Sequence, residues 1–219
     1  MIQEVSSASA DAHGSRSDEI LALVRPVLAT QGFDGASMQQ LARAAGMSAG
    51  NFYRYFPSKD AIIAALVERD LRELEEDFAQ IRASADPRAT FRSLIRRRVA
   101  EVPCEMAPMM LETEAAAMRR PEIGALLAHM DRAIERNLLA LFRVLGAGPE
   151  VSDAVLLTRV RLIMMLVKGM MRRTVPEGAG APTAADSAAL AELVLQTIES
   201  IVQGVLGQVP AARSVVGVS

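Results

Sequence analysis

The feature that most constrains this chain is the rapid alternation of helix-starting and helix-ending residues over residues 37–60. Ser37, with Gln40 three positions later, forms a capping box that begins a helix. Gly46 ends this helix, because glycine adopts the left-handed backbone conformation at little cost. Ser48 caps a second short helix, and a proline and a further serine precede a third. The pattern predicts two short helices joined by a tight turn, as in a helix-turn-helix.

Each of the two short helices has one apolar face. In the first helix the apolar residues recur at spacings of three and four, at Met38, Leu41, Ala42 and Ala45. In the second helix we expect Phe52 and Phe56 to face inward as the core of a small domain. The remaining side chains of the second helix would then face solvent or a partner.

The second helix has the side chains that a reader of DNA base edges needs. Asn51 can pair bidentately with adenine, and small residues let the backbone approach the groove floor. Tyrosine hydroxyls, Lys59 and the start of the helix near Ser58 suit phosphate oxygens. The same geometry also occurs in plain helix packing, where the aromatic residues are only core. The predicted DNA-contacting residues are Ser37, Met38, Ser48, Ala49, Gly50, Asn51, Tyr53, Arg54, Tyr55 and Lys59.

The combined string closely resembles the DNA-binding domain of the TetR family of bacterial one-component repressors. The resemblance covers residues 14–74, and each element falls at the family spacing without gaps. The matching elements are Ile20-Leu21, Gly32-Phe33, Ala36-Ser37, Leu41-Ala42, Ala45-Gly46-Met47-Ser48, Gly50, Phe52-Tyr53, Tyr55-Phe56 and Lys59-Asp60. The resemblance implies a dimer that binds a palindromic operator, usually as a repressor, and a small molecule that binds the helical body and releases the DNA.

Two features depart from the family pattern. Pro26 lies inside the expected first helix, where a proline removes one hydrogen bond and costs about 3 kcal/mol. Because it falls on an outward position, we expect a bend and not a break. The second departure is charge, since residues 1–60 carry six carboxylates against only five basic side chains. DNA-binding domains are normally basic, so affinity would depend on a few placed phosphate contacts and on dimerisation.

The composition of the chain excludes several other classes of protein. The chain of 219 residues has a net charge of −2, 51% hydrophobic residues and 4% aromatic residues. Its single cysteine, Cys104, excludes an internal disulfide, and we expect no metal site and no cofactor. No apolar run reaches the length of a membrane span, and the N-terminus does not resemble a signal peptide. We therefore expect a cytoplasmic protein.

The apolar periodicity predicts an all-α fold of about nine helices without strands. We expect a disordered tail at 1–13 and a three-helix DNA-binding domain at 14–74, with the helix-turn-helix at 37–56. A helical ligand-binding and dimerisation domain would follow at 75–208, and a flexible tail at 209–219. After the helix-turn-helix, the predicted helices cover about 58–81, 86–102, 105–119, 121–145, 151–174 and 183–207. The first of these begins in the DNA-binding domain and continues into the second domain. A loop at 176–182 separates the last two.

The last two predicted helices are unusually apolar. Ordinary core packing is one interpretation, but the earlier helix is apolar over much of its circumference, which indicates burial on more than one side. Gly169 and Gly204 would also permit close approach of other helices. We favour a homodimer in which these helices form a four-helix bundle with their symmetry mates. The predicted interface residues are Leu156, Ile163, Val167, Met170, Leu190, Val194, Ile198 and Ile201.

A methionine-rich segment follows Pro103. Methionine is flexible and polarisable, so it lines surfaces that accept varied apolar partners, although it also fills irregular cores. We expect a small hydrophobic ligand here, and a cationic one if a carboxylate faces the cavity. The long helix that begins near Ser58 would carry the change to the DNA-binding domain. The predicted ligand-binding residues are Phe91, Met106, Met109, Met110, Glu112, Met130 and Met164.

Two other functions compete with ligand-controlled regulation. An enzyme is disfavoured, because His13 and His129 stand apart, Cys104 has no nearby histidine, and no nucleotide-binding loop or pair of metal ligands is present. The second alternative is a helix-turn-helix regulator that answers to a protein partner, or to no ligand at all. Operator sequence, ligand identity and the choice between repression and activation stay open.

Overall fold

We describe a computed structural model, which covers residues 3–100, 106–172 and 183–206. Within these ranges the chain forms nine α-helices and no strand, so the predicted all-α class is confirmed. The helices are α1 Gln3–Gly35, α2 Met38–Ala44, α3 Ala49–Tyr55, α4 Lys59–Ala83, α5 Pro87–Ala100, α6 Met106–Arg119, α7 Pro121–Val144, α8 Asp153–Met171 and α9 Ala184–Leu206.

The later helices begin at the prolines and capping residues from which their starts were predicted. Pro87 and Pro121 occupy the first positions of α5 and α7, where a missing N–H costs nothing. The Asp86 carboxylate accepts the backbone N–H of Ala89 at 3.0 Å and so caps α5. Thr183 and Asp186 form a reciprocal capping box at the start of α9, with N···O distances of 2.8 and 3.1 Å.

Helix α1 differs from the expectation in two respects. It extends back to Gln3, so residues 3–13 are helical in a region where a disordered tail at 1–13 was expected. This segment contains no proline, and each residue added to an existing helix gains a hydrogen bond without a new nucleation step. The helix passes Pro26 without a break, as expected, but is interrupted at Gly32, which has φ 71° and ψ 170° and was not foreseen. The predicted tail at 209–219 and the loop at 176–182 lie outside the described residues.

The chain divides into two compact units. We call the first the head unit, which consists of the described residues of 1–76, 103–131 and 172–174. Its core is built by α1–α4, and α6 packs along α1. The core residues include Ile20, Leu21, Val24, Leu28, Phe33, Leu41, Phe52, Phe56, Ile62, Ile63, Met109, Ala116 and Ile123.

The second unit, the body unit, consists of the described residues of 77–102, 132–171 and 175–219. In it α5, α8 and α9 pack against one another. The predicted boundary at residue 75 therefore needs correction, because α6 and the first part of α7 belong to the head unit. The physical reason is that Met109, Ala116 and Ile123 bury their apolar side chains in the head core.

The packing of α8 and α9 also corrects half of the predicted dimer interface. Leu156, Ile163, Val194 and Ile198 are buried within the body unit and cannot contact a second protomer. They are the sides of α8 and α9 that face α5 and each other. Ordinary core packing was therefore the right interpretation for these four. The other predicted residues, Val167, Met170, Leu190 and Ile201, keep some exposure.

Within the described ranges, none of the helices is both long and apolar enough to cross a membrane. The same part of the chain brings no three His, Cys, Asp or Glu residues together in a group that could hold a metal ion.

An ion-pair cluster joins α5 to α9 in the body unit. Arg88 Nε donates to Glu199 Oε1 at 3.0 Å, and Arg92 Nε donates to Glu199 Oε2 at 3.1 Å. The hydrogen bond from Arg92, assisted by Arg88, lowers the pKa of Glu199 to about 2. Because this pKa is depressed in the folded state, the contribution to stability is present above the ordinary value of 4.5. It is lost as the pH falls through about 2.

We therefore expect Glu199→Gln to lower the free energy of unfolding by about 1–2 kcal/mol at pH 7. The difference from wild type should shrink as the pH falls from 4.5 toward 2, as measured by urea denaturation at several pH values. Glu192→Gln is the matched control, because Glu192 on the same helix makes an exposed pair with Arg96 at 3.6 Å and accepts an exposed hydrogen bond from Gln196 Nε2 at 3.3 Å. Its effect should stay below about 0.5 kcal/mol. Equal losses for the two variants would contradict this assignment.

Candidate nucleic-acid interface

The start of α2 has the predicted capping box. Ser37 has an extended backbone, and its N–H donates to Gln40 Oε1 at 2.7 Å. In return, the N–H of Gln40 donates to Ser37 Oγ at 3.2 Å. Two of the free N–H groups at this end are thus satisfied by side chains, which fixes where α2 begins.

The turn between α2 and α3 is a Schellman motif. Gly46 has φ 66°, its N–H donates to the carbonyl of Arg43 at 3.0 Å, and the N–H of Met47 donates to the carbonyl of Ala42 at 2.9 Å. A residue with a side chain would be strained at this φ, so glycine is required here. Ser48 then caps α3 by accepting the N–H of Asn51 at 3.3 Å. The predicted starts and ends of the two helices of the helix-turn-helix are confirmed.

The inner face of α3 is held by a rigid apolar core. Phe52 and Phe56 are buried as predicted, and their ring centroids lie 5.6 Å apart at an angle of 50°. Tilted aromatic pairs of this kind are favourable beyond the area they bury. Leu41 and Ala42 of α2 belong to the same core. The orientation of α3 is therefore set by packing and not by solvent-exposed contacts.

The outer face of α3 is polar and open. Gly50, Tyr53 and Arg54 stand three and four positions apart and are exposed, and Asn51 lies beside them. Tyr53 keeps 46% of its surface accessible. Ser37 and Ser48 are exposed, and Ala49 is half-buried. These residues are available for a partner, as the sequence predicted.

Three predicted contact residues are less available than expected. Met38 and Tyr55 are partly buried and pack against the head core, so at most part of each faces outward. The Nζ of Lys59 donates to the backbone carbonyl of Asp34 at 3.1 Å. This lysine therefore ties the start of α4 to the end of α1, in addition to any phosphate contact.

Gly50 has no internal reason to be glycine. Its φ lies outside the left-handed region, and a Cβ built on it would meet no atom within 4 Å. Alanine at an exposed helical position is typically more stable than glycine by about 0.5–1 kcal/mol. Nothing in the head unit thus requires glycine here, and the missing side chain leaves the α3 backbone open to close approach.

The basic residues of the head unit are mostly neutralised by carboxylates. Arg25 pairs with Asp70 at 2.8 Å, and Arg72 pairs with Asp18 at 2.7 Å. Arg54 is different, because it is exposed and no ion pair or hydrogen bond to it is found among the described residues. Arg43 on α2 has the same properties and was missed from sequence. Its position four residues after exposed Gln39, opposite the apolar face of α2, was the signal that could have identified it.

The predicted ligand-binding residues fall in different units. Met109 is core in the head unit, whereas Phe91 and Met164 are core in the body unit. Met110 and Met130 are half-buried, and the side chain of Met106 lies outside the described part of the chain. The carboxylate of Glu112 accepts the backbone N–H of Phe33 in the head unit, and its predicted contact with a ligand stays a prediction.

Comparison with known proteins agrees with this geometry. Residues 20–66 match the sequence profile described as bacterial regulatory proteins, tetR family. The HTH-type transcriptional regulator BetI of Stenotrophomonas maltophilia (strain R551-3) is 32% identical over 123 residues, which are 54% of this chain and 63% of that protein. The chain therefore matches less than two thirds of that relative's length. The profile and the relative both describe transcriptional regulators and not enzymes.

Solved structures show the same fold over most of the chain. A TetR transcription regulator from Haloarcula marismortui ATCC 43049 is 17% identical with a TM-score of 0.66, covering 87% of this chain and 97% of that one. A putative transcriptional regulator from Saccharomonospora viridis in complex with choline is 18% identical with a TM-score of 0.64, covering 84% and 95%. The matched profile and the regulator that the chain resembles assign residues 20–66 to the TetR family of helix-turn-helix DNA-binding transcriptional regulators, and the solved structures show that the chain shares their fold.

Proposed function

We propose that this protein is a repressor that binds a palindromic operator as a homodimer and is released by a small hydrophobic ligand. The observation that carries the proposal is the outer face of α3, where Gly50 leaves open space beside Asn51, Tyr53 and Arg54. Small residues let a helix backbone approach the floor of the major groove, and asparagine can read adenine there. Exposed arginines on α2 and α3 supply phosphate contacts.

The charge of the head unit supports dimeric binding. With most of its arginines paired to carboxylates, a single head has little non-specific attraction for DNA. Two heads that read half-sites about one helical turn apart add their contacts on a single face of the duplex. In our proposal specific affinity therefore depends on the pair of heads being held at the correct spacing.

An exposed stripe on α8 supports the dimer. Val155, Leu162, Met165 and Gly169 recur at helical spacing along one side of the helix, and all four are exposed. Met165 keeps 70% of its surface accessible, which is unusual for a large apolar side chain. A Cβ built on Gly169 would meet no atom within 4 Å, so the helix is open to close approach at this point.

Helix α9 has a matching stripe. Leu190, Leu193, Thr197 and Gly204 lie on one exposed side, and Gly204 is as open as Gly169. Two neighbouring helices of one unit thus present unpartnered apolar faces that end in glycine. We propose that both faces pack against their symmetry mates as a four-helix bundle, with Leu162, Met165 and Leu193 replacing the buried residues first predicted.

The contacts on α6 favour an uncharged ligand. Glu112 binds the backbone of Phe33, and the Nε of Arg172 donates to Glu114 at 2.6 Å. Both carboxylates thus already have a partner, and the charge of Glu114 is neutralised, which argues against a cationic ligand. The aromatic residues outside positions 33–56 are Phe78, Phe91 and Phe142, all of them buried, whereas recognition of quaternary ammonium groups uses open aromatic faces. Choline, which the Saccharomonospora viridis protein binds, is thus a poor match here.

Release follows from a shift between two conformations of the dimer. In one conformation the two α3 helices have the operator spacing, and in the other they do not. A ligand that binds the second conformation more tightly shifts the population by its differential affinity and no further. The alternative is a helix-turn-helix regulator that is controlled by a protein partner or has no ligand response.

The central test is a gel shift and footprint with the DNA upstream of the chain's own gene. We expect a protected region with two half-sites about one helical turn apart. Arg54→Gln should weaken binding and lower the slope of log affinity against log salt by about one. Arg82→Gln, which removes the same charge from an exposed residue of the body unit, is the control. Binding no stronger than to random DNA would refute the proposal.

The same assay tests the ligand. We expect uncharged lipophilic compounds, with octanol as the first probe, to weaken operator binding and raise the melting temperature, and choline to do neither. Release by choline would contradict the uncharged class. If no compound released the DNA, the alternative of control by a protein partner, or of no ligand response, would replace this part of the proposal.

Gly50 provides a sharper prediction. We expect Gly50→Ala to stabilise the fold by up to about 1 kcal/mol and yet to weaken operator binding. Gly50→Leu should be similarly stable, because alanine and leucine have similar helix propensities, but should bind more weakly still. Thermal unfolding and gel shifts measure the two effects separately. Wild-type affinity in both variants would show that this position does not approach DNA.

The dimer is tested by placing a charge in the α8 stripe. Met165→Lys should shift the protein from dimer to monomer in analytical ultracentrifugation and weaken operator binding at least about tenfold, because a buried unpaired lysine is costly. Val144→Lys is the matched control, since Val144 on α7 is also large, apolar and 57% exposed but lies outside both stripes. Dimerisation that survives Met165→Lys and is lost in Val144→Lys would place the interface elsewhere.

A further inference from the structure

One segment of the head unit makes a polar contact on each side of the helix-turn-helix, one with the backbone and one with a side chain. This segment is α6 with the residue that follows it, Arg120. At one side, the carboxylate of Glu112 accepts the N–H of Phe33, four residues before the cap of α2. At the other side, Arg120 Nη1 pairs with Asp60 Oδ1 at 2.8 Å, four residues after the end of the α3 core at Phe56. We call these two contacts the α6 clamp.

The Glu112 contact is required by the local backbone. Gly32 interrupts α1 with φ 71°, so the next N–H, that of Phe33, needs an acceptor outside the helix. A buried N–H without an acceptor is destabilising, and a carboxylate is a strong acceptor. Gly32 also makes room for it, since a Cβ at this position would overlap the Glu112 carboxylate. The interruption of α1 and the side chain of α6 are therefore fitted to each other.

The second contact is reinforced by its neighbours. Asp60 lies in the first turn of α4, directly after Lys59, and Lys59 Nζ donates to the carbonyl of Asp34 at 3.1 Å. The segment 32–34 and the segment 59–60 are thus tied to each other, and each is tied to α6. Helices α2 and α3 lie in sequence between these two anchored segments. A displacement of α6 would act on both ends of the DNA-reading element together.

We infer that Glu112 and Arg120 are positioning residues for DNA binding, because the α6 clamp holds the two ends of the helix-turn-helix. This inference rests on the proposed function of the outer face of α3. The apolar side chains of Met109 and Ala116 already anchor this segment in the head core, so the clamp is not needed to keep it folded. The polar contacts fix the direction of Phe33 and Asp60, and hence the placement of α3.

The first test compares two substitutions of Glu112. Glu112→Ala removes the acceptor and should weaken operator binding about tenfold, whereas Glu112→Gln keeps a carbonyl acceptor and should stay within about twofold of wild type. Glu68→Ala is the matched control, because Glu68 is an exposed glutamate of the same unit with no interaction found among the described residues. It should bind within about twofold of wild type.

The second test applies to the exposed end of the clamp and does not disturb the core. Arg120→Gln should weaken operator binding about threefold more than Arg119→Gln, although both remove one positive charge from adjacent positions. Arg119 is exposed, and none of the described residues contacts its guanidinium. This pair of variants keeps the inference testable if Glu112→Ala fails to fold.

Hydrogen exchange separates the inference from the proposed function. Glu112→Ala should speed amide exchange in the peptide covering 32–36, and Glu112→Gln should not, whether or not DNA is present. If the wild type binds no operator, the proposed function fails while this measurement still reports on the clamp. If the wild type binds and Glu112→Ala binds equally well, or if Glu112→Gln is as weak as Glu112→Ala, the positioning role is overturned. Equal affinities for Arg120→Gln and Arg119→Gln would overturn it as well.

Discussion

The burial of Phe52 beneath α3 is the interaction on which the DNA-reading surface depends. Phe52 is fully buried and contacts Phe56, and together they fix the inner face of α3 on the core of α1, α2 and α4. Because this inner face is held in place, the opposite face of α3 is exposed, with Gly50, Tyr53 and Arg54. The left-handed backbone conformation of Gly46 then sets the angle between α2 and α3. A helix that reads DNA must be held in this way, since small errors of orientation remove its contacts.

The helix-turn-helix could be predicted from sequence because its determinants are local. Ser37, Gln40, Gly46 and Ser48 act on neighbours within four residues, so their spacing specifies their hydrogen bonds directly. The prolines that begin α5 and α7 act in the same way. The helix continues through Pro26 as expected, but the interruption of α1 at Gly32 was not foreseen. Proline 26 occupies an outward position that the helix tolerates, whereas Gly32 is where the Glu112 carboxylate approaches the backbone.

The parts that sequence could not predict depend on partners that are distant in the chain. The apolar stripes of α8 and α9 were recognised, but periodicity does not tell which side faces α5, so Leu156 and Ile198 were assigned to the dimer although they are core. The exposed sides with Leu162 and Leu193 are equally apolar in sequence. Likewise Glu112 and Met109 looked like ligand contacts, because nothing local shows that α6 packs on α1, which is about eighty residues earlier.

The charge of the head unit and the α6 clamp both affect the free energy that holds the proposed regulator on DNA. Because arginines such as Arg25 and Arg72 are paired with carboxylates of the head unit, phosphate attraction contributes little, and in the proposed dimer affinity comes from the placement of two α3 helices. A regulator of this kind is released by a small displacement, since a ligand has to overcome only the difference in free energy between two placements. A strongly basic head would remain on DNA after the same displacement. The acidic side chains that weaken the attraction of each head for DNA therefore also make the proposed release possible.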